Sequence, residues 1–185
     1  MAVKNPLQRQ PFCPESMLSI ILSAMFYWWL MEAPDHQPFL LLAPIAMFVS
    51  AFFSLHFTLE PGVGYLGMTR LGAGFVINKS CSGAVFWIIC FCLLCLTQMP
   101  RFKAKRYRFA SFVAFLALSY LIAMTASILR IIPSILMFDH AAWIDPNLIH
   151  KIIGILTFIT VICASFLFVE RSVTILLRKL DETYE

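Results

Sequence analysis

The sequence predicts an all-α integral membrane protein of one domain, 1–185, with four to six membrane helices and a short extracytoplasmic strand or hairpin ahead of Cys81. Three observations predict it. The chain is 61% hydrophobic and only 13% charged, where an ordinary soluble domain is about half apolar and about a quarter charged. The apolar excess is gathered into long runs, the mark of several membrane passes. The charges gather between those runs. The net charge of +4 is modest, so its placement carries more meaning than its size. The length suits about four to six spans of roughly 20 residues each plus loops.

The elements follow in order. Residues 1–16 are polar, with Lys4, Arg9 and three prolines. Met17 to Met31 is the first apolar run. It is short enough for a signal-peptide core, but Glu32-Ala33-Pro34-Asp35 follows instead of a small-x-small cleavage site, so it is expected to stay as an anchor. Phe26, Tyr27, Trp28 and Trp29 form an aromatic belt at its far end. Phe39 to Leu59 is a second apolar run, interrupted by Pro44. Glu60 to Ser80 differs in kind: it is glycine-rich, and Leu71, Ala73, Phe75 and Ile77 alternate along its later part. Period two with glycines predicts a strand or hairpin, and Arg70 and Lys79 argue against burial in lipid. Three spans follow, Ala84–Met99, Phe109–Met137 and Leu148–Val169.

Charge orients these spans. Arg101-Phe102-Lys103-Ala104-Lys105-Arg106-Tyr107-Arg108 lies between two of them. A basic octamer in a soluble chain would raise nucleic acid; between membrane helices it is a cytoplasmic loop under the positive-inside rule. Asp139–Asn147 holds aspartates without lysine or arginine and is expected outside, whereas the tail after Glu170 holds Arg171, Arg178 and Lys179 and is expected inside. Depth then follows from helix rise. Arg101 back to Cys81 is 20 residues, about 30 Å; Arg108 forward to Arg130 is 22, about 33 Å; Arg171 back to His150 is 21, about 31 Å. The hydrocarbon core is about 30 Å thick, so all three side chains reach the outer interface. A basic amino terminus inside and Cys81 outside require an even number of crossings between 34 and 80. Either Phe39–Leu59 lies along or dips into the outer leaflet, or it crosses and Gly62–Ser80 returns. Pro44 and the weakly apolar return favour the dip, because backbone in lipid must satisfy its own hydrogen bonds.

Those three residues are the candidates for chemistry. Cys81 stands in Asn78-Lys79-Ser80-Cys81-Ser82-Gly83. A helix starting near Ser82 or Gly83 aims its positive end at the thiol and favours thiolate, and Lys79 adds positive charge. Gly83 permits close approach of another segment. The bland alternative for Cys81 is a small interfacial residue. Arg130 lies in Thr125-Ala126-Ser127-Ile128-Leu129-Arg130-Ile131-Ile132-Pro133, where an arginine needs a polar partner or must snorkel to the headgroups. Pro133 loosens the helix one turn later. His150 follows Asp145-Pro146, an N-cap with proline in the first turn, and Gly154 shares its face for close packing. An ordinary interfacial histidine is the plain alternative. Cys90, Cys92, Cys95 and Cys163 lie in apolar runs as small hydrophobes; Cys92 and Cys95 spell C-x-x-C without the strand context of a redox motif. His36, His56 and His140 have no comparable partner, and no metal-ligand pair falls on one helix face. No cofactor is expected. Two non-enzymatic alternatives stay open: a multi-pass structural or transport subunit with Arg130 and His150 lining a polar path, and a haem- or quinone-binding membrane protein.

The ordered set Cys81-Ser82-Gly83, Ser127-x-x-Arg130-Ile131 and His150-x-x-x-Gly154 resembles the exosortase/archaeosortase family of membrane cysteine transpeptidases, and within it exosortase K. Leu42-Ala43-Pro44-Ile45-Ala46, Glu60-Pro61-Gly62-Val63-Gly64-Tyr65 and Ile77-Asn78-Lys79 extend the likeness, which runs from about Leu41 to Gly154. One departure is Ser127, where the family pattern has asparagine. The resemblance implies that Cys81 is the nucleophile forming an acyl-thioester, completed by Arg130 and His150, with Ser82, Gly83, Ser127 and Gly154 in support. It implies a bacterial inner-membrane enzyme with its active site facing the periplasm. Its substrates would be membrane-anchored proteins ending in a PEP-CTERM-like sorting signal: a short motif, a transmembrane helix and a basic end. The enzyme would cleave near the motif and pass the acyl group to an acceptor. Arginine is not readily deprotonated, so Arg130 suits a fixed donor to the thiolate and oxyanion, and His150 suits protonation of the leaving amine.

Overall fold

The computed structural model describes residues 14–33, 39–68, 74–102, 104–140 and 146–184. Within these residues five α-helices and three strands run in the order α1 (Pro14–Glu32), α2 (Phe39–Phe53), β1 (Phe57–Glu60), β2 (Gly64–Met68), β3 (Gly74–Ile77), α3 (Ala84–Gln98), α4 (Lys105–His140) and α5 (Pro146–Tyr184). Single 3-10 turns, Lys79–Cys81 and Met99–Arg101, precede and follow α3.

Among the described residues, three segments are long and apolar enough to cross a membrane: Lys79–Arg101, Lys105–Met137 and Leu148–Lys179. The side chains of α5 are mostly exposed, with Ile152, Ile155, Leu156, Ile159, Leu167 and Phe168 turned outward. In water such a face would be an association or aggregation surface; lipid covers it without cost. α1 and α2 are apolar but shorter. The 15 residues of α2 rise about 22 Å, short of a hydrocarbon core of about 30 Å.

Several expected boundaries shift. The second apolar run is not one element. Ser54, at φ 54°, breaks it; the Leu55 N–H closes back on the Ser50 carbonyl at 3.0 Å, and Leu59 belongs to β1. The expected hairpin is a three-stranded antiparallel sheet, β1-β2-β3, with Phe57 opposite Gly67 and Tyr65 opposite Ile77. It therefore begins before Glu60. Of the alternating residues, Phe75 and Ile77 lie in β3, while Arg70, Leu71 and Ala73 lie outside the described residues, as do His36 and Asp145. α5 runs on without a break through Arg171, Arg178 and Lys179, so the basic tail is helix and not a separate segment.

Contacts set the helices up and down. Ser16 at the start of α1 donates to the Cys95 carbonyl near the end of α3, at 3.4 Å. At the other end, Lys79 before α3 donates to the Ala33 carbonyl after α1, at 2.9 Å, satisfying a carbonyl left open by the helix end. Along the way Ser16, Ser19 and Ser23 are buried against α3, and the Cys92 thiol donates to the Ser23 hydroxyl at 3.0 Å. Small residues let such helices approach closely, and Cys92 and Cys95 serve this packing. Met99 and Phe102 meet Val169 and Val173 of α5 in one cluster, with Arg101 and Glu170 paired at 3.8 Å beside it. The basic turn and the α5 tail thus share one end of the bundle.

The tightest crossing is between α3 and α4. Gly83 caps α3 with φ +66°, a left-handed conformation that suits glycine. A Cβ there would collide with the Ser127 hydroxyl and sit 3.3 Å from the Ala123 carbonyl of α4. Gly83→Ala should cost more than about 1 kcal/mol from its backbone conformation alone, and more through the collision. Ser127→Ala should cost little by itself and recover part of the Gly83→Ala loss. Thermal unfolding in detergent checks both.

Candidate active site around Arg130

Cys81 ends the 3-10 turn, two residues before the glycine cap of α3. Asn78 fixes that turn: its side-chain oxygen accepts from the Ser80 N–H at 3.2 Å and from the Ser80 hydroxyl. Ser82 closes it from the other side. Its hydroxyl donates to the Lys79 carbonyl at 2.7 Å and accepts from the Ala84 N–H at 3.2 Å. This alters the expected electrostatics. The first N–H of α3 is taken by Ser82 and not aimed at the thiol, and Lys79 reaches the end of α1. Cys81 itself is 9% exposed and packs with Leu42, Ile45 and Ile77 among others.

Arg130 is central to the site. From α4 its side chain extends across Gly154 of α5, where a Cβ would lie 2.8 Å from Nε and 3.2 Å from Cζ. Glycine there is a matter of space and not of backbone angle. The guanidinium carbon stands 5.4 Å from the centre of the Phe158 ring, within cation–π range. One terminal nitrogen, Nη1, donates to the Ser80 carbonyl at 3.4 Å, on the residue preceding Cys81. The other, Nη2, meets His150 Nε2 at 2.7 Å. Nε is buried without a hydrogen-bond partner among the described residues. Among those residues no carboxylate pairs with Arg130. The guanidinium is thus held by a carbonyl, an imidazole and a ring face.

The arrangement brings Arg130, His150 and Gly154 together and joins them to the Cys81 turn through Ser80. Ser127 stands one turn before Arg130, against Gly83, with its hydroxyl buried and without a hydrogen-bond partner among the described residues; it serves the helix crossing. His56 is exposed and apart from the cluster. No group of three or more His, Cys, Asp or Glu residues suited to a metal occurs among the described residues. Two members were missed from sequence, Ser134 and Phe158. His150 Nδ1 lies 3.1 Å from the Ser134 hydroxyl. Ser134 is four residues beyond Arg130, and Phe158 is four beyond Gly154 and eight beyond His150. Both spacings repeat one helix face, a signal present in the sequence once the two faces are paired.

An arginine with no carboxylate partner among the described residues, a histidine on one of its terminal nitrogens and the Cys81 turn on the other can bind and stabilise a developing anion. The histidine adds a proton acceptor beside that anion. No family model, curated protein or solved structure matches the chain.

Gly154→Ala should raise helix propensity by about 0.5–1 kcal/mol, yet it pushes the Arg130 guanidinium off its partners. The substitution should therefore be destabilising in the native chain and stabilising in an Arg130→Ala background. A double-mutant cycle by thermal unfolding measures the coupling.

Proposed function

We propose that the chain is a membrane cysteine transpeptidase of the exosortase kind, acting on the carboxy-terminal sorting signals of exported, membrane-anchored proteins. The observation that carries the reading is the Arg130 guanidinium, bonded at once to the carbonyl beside Cys81 and to His150. The sequence likeness named the same three residues independently of that geometry.

In this reading α1, α3, α4 and α5 cross the inner membrane and α2 dips into the outer leaflet. The strands and the Cys81 turn then face the periplasm, where the motif ahead of a substrate's membrane helix emerges. Cys81 attacks the scissile carbonyl carbon. Its proton passes to His150, and Arg130 donates to the oxyanion. The carbon–nitrogen bond breaks as His150 returns the proton to the leaving amine, which leaves an acyl-thioester for an incoming acceptor. Arg130 remains charged throughout, in keeping with a guanidinium that does not deprotonate. Its fork presents several donors in one plane, which a lysine point charge does not reproduce.

Cys81→Ala should abolish cleavage of a co-expressed protein bearing such a signal while membrane insertion is unchanged; persistent cleavage would refute the assignment. Arg130→Lys should lower the rate about 100- to 1000-fold, the usual loss of an oxyanion donor. Near-normal processing by Arg130→Lys would make Arg130 an interfacial anchor. A haem spectrum in the purified protein would favour the cofactor-binding alternative.

Orientation is tested separately. Cysteines introduced at Val63, in the exposed turn between β1 and β2, and at Lys105, at the start of α4, should differ toward an impermeant maleimide on spheroplasts. Val63→Cys should label and Lys105→Cys should not; the reverse would invert the topology.

A further inference from the structure

The hydrogen bonds around His150 run in one direction only, and that direction assigns a residue to which nothing above has given a role. An arginine side chain has donors and no acceptor. Because Nη2 stands 2.7 Å from His150 Nε2, Nε2 must receive that bond with its lone pair and carries no proton. An imidazolium has N–H at both positions and is incompatible with this contact. The ring is therefore neutral and its one proton is on Nδ1. Nδ1 stands 3.1 Å from the Ser134 hydroxyl oxygen. That hydroxyl donates its own single proton to the Arg130 carbonyl at 2.7 Å, so its oxygen meets the imidazole as an acceptor. The ring closes: Arg130 guanidinium to His150, His150 to Ser134, Ser134 back to the Arg130 backbone. Turning the imidazole over would replace both nitrogens with carbons and lose both bonds.

We infer that Ser134 is a positioning residue that holds His150 as the Nδ1–H tautomer, keeping the Nε2 lone pair turned toward Arg130. A serine that back-bonds four residues along a helix is common. What distinguishes Ser134 is its second partner on another helix. A histidine's active nitrogen is set by the bond its other nitrogen makes.

The catalytic consequence rests on the transpeptidase reading. For Cys81 to be deprotonated, an Arg130 N–H leaves Nε2 and the thiol proton takes its place, giving thiolate and imidazolium while Nδ1–H stays on Ser134. Thiolate attacks the acyl carbon, the carbon–nitrogen bond breaks, and the Nε2 proton goes to the amine. His150 is then again neutral with its proton on Nδ1. The same nitrogen thus accepts first and donates second. His150 enters the cycle as a base and becomes the acid only after accepting the thiol proton, which modifies the simpler assignment of a proton donor drawn from sequence.

The test is spectroscopic. Full-length protein labelled with 15N-histidine in nanodiscs gives two-bond proton–nitrogen correlations that separate the two tautomers and the imidazolium. The His150 signals are those missing in His150→Gln. The native chain should show the Nδ1–H tautomer at neutral pH. Ser134→Ala should lose that single tautomer, and Ser134→Thr, which keeps the hydroxyl, should retain it. An Nε2–H or doubly protonated His150 in the native chain would overturn the inference. So would a Ser134→Ala spectrum identical to the native one, because Arg130 alone would then set the ring. Processing should fall about 10- to 100-fold in Ser134→Ala, the size of loss seen when the partners that orient metal-ligating histidines are removed, and recover in Ser134→Thr. The spectra report on His150 whether or not any substrate is cleaved, so failure of the transpeptidase reading leaves this test decisive.

Discussion

An arginine placed in a membrane helix must find partners for its N–H groups or reach the headgroups. Arg130 finds three partners, and they come from two elements: the Ser80 carbonyl from the turn before α3, and His150 and the face of Phe158 from α5. The rest of this end of the bundle follows from that need. Gly154 is small where the side chain lies over α5. Ser134 completes the bonding of His150. The Asn78 and Ser82 side chains hold the turn so that the Ser80 carbonyl faces the guanidinium. The charge has no carboxylate partner among the described residues, so its bonding rests on these neutral groups.

The helix crossings supply the scaffold for this contact. Gly83 and Ser127 bring α3 and α4 together just beneath the Cys81 turn. Phe86 of α3 stacks on Phe158 of α5 at 4.6 Å, so the ring that faces Arg130 is itself held by α3. At the opposite end, Met99, Phe102 and Val173 pack together beside Arg101 and Glu170. The two ends divide the work. One clusters the basic residues of the turn and tail, and the other clusters the polar side chains that can do chemistry. α2 adds Leu42, Ile45 and Val49 to the core beside Cys81, which keeps the thiol largely out of solvent.

Much of this was legible in the amino-acid sequence, for a definite reason. Apolar runs of membrane length and basic residues between them impose helix number and order locally. Fixed helix rise then converts residue spacing into depth. That arithmetic put Arg130 and His150 at one level, and they are bonded. The periodic reading also found strand structure before Cys81, although it missed β1, because Phe57–Glu60 continues the composition of α2 and only the break at Ser54 separates them. The electrostatics of the thiol were read less well. Lys79 and the first N–H of α3 looked available to Cys81, but each is satisfied elsewhere, by the end of α1 and by Ser82.

By itself, then, the sequence determined an apolar, mostly helical protein with strand structure ahead of Cys81 and with Arg130 and His150 on apolar helices. Those properties depend on composition, period and rise, which act along one chain segment at a time. The tertiary structure alone decided which face of each helix meets its neighbour, and hence that Ser134 rather than Ser127 joins the arginine–histidine pair. It also decided that Lys79 reaches the carbonyl end of α1, and that His150 presents a lone pair and not a proton to Arg130. Such outcomes depend on the rotation of one helix against another and on the direction of each hydrogen bond. Neither is written in the spacing of residues within a single helix.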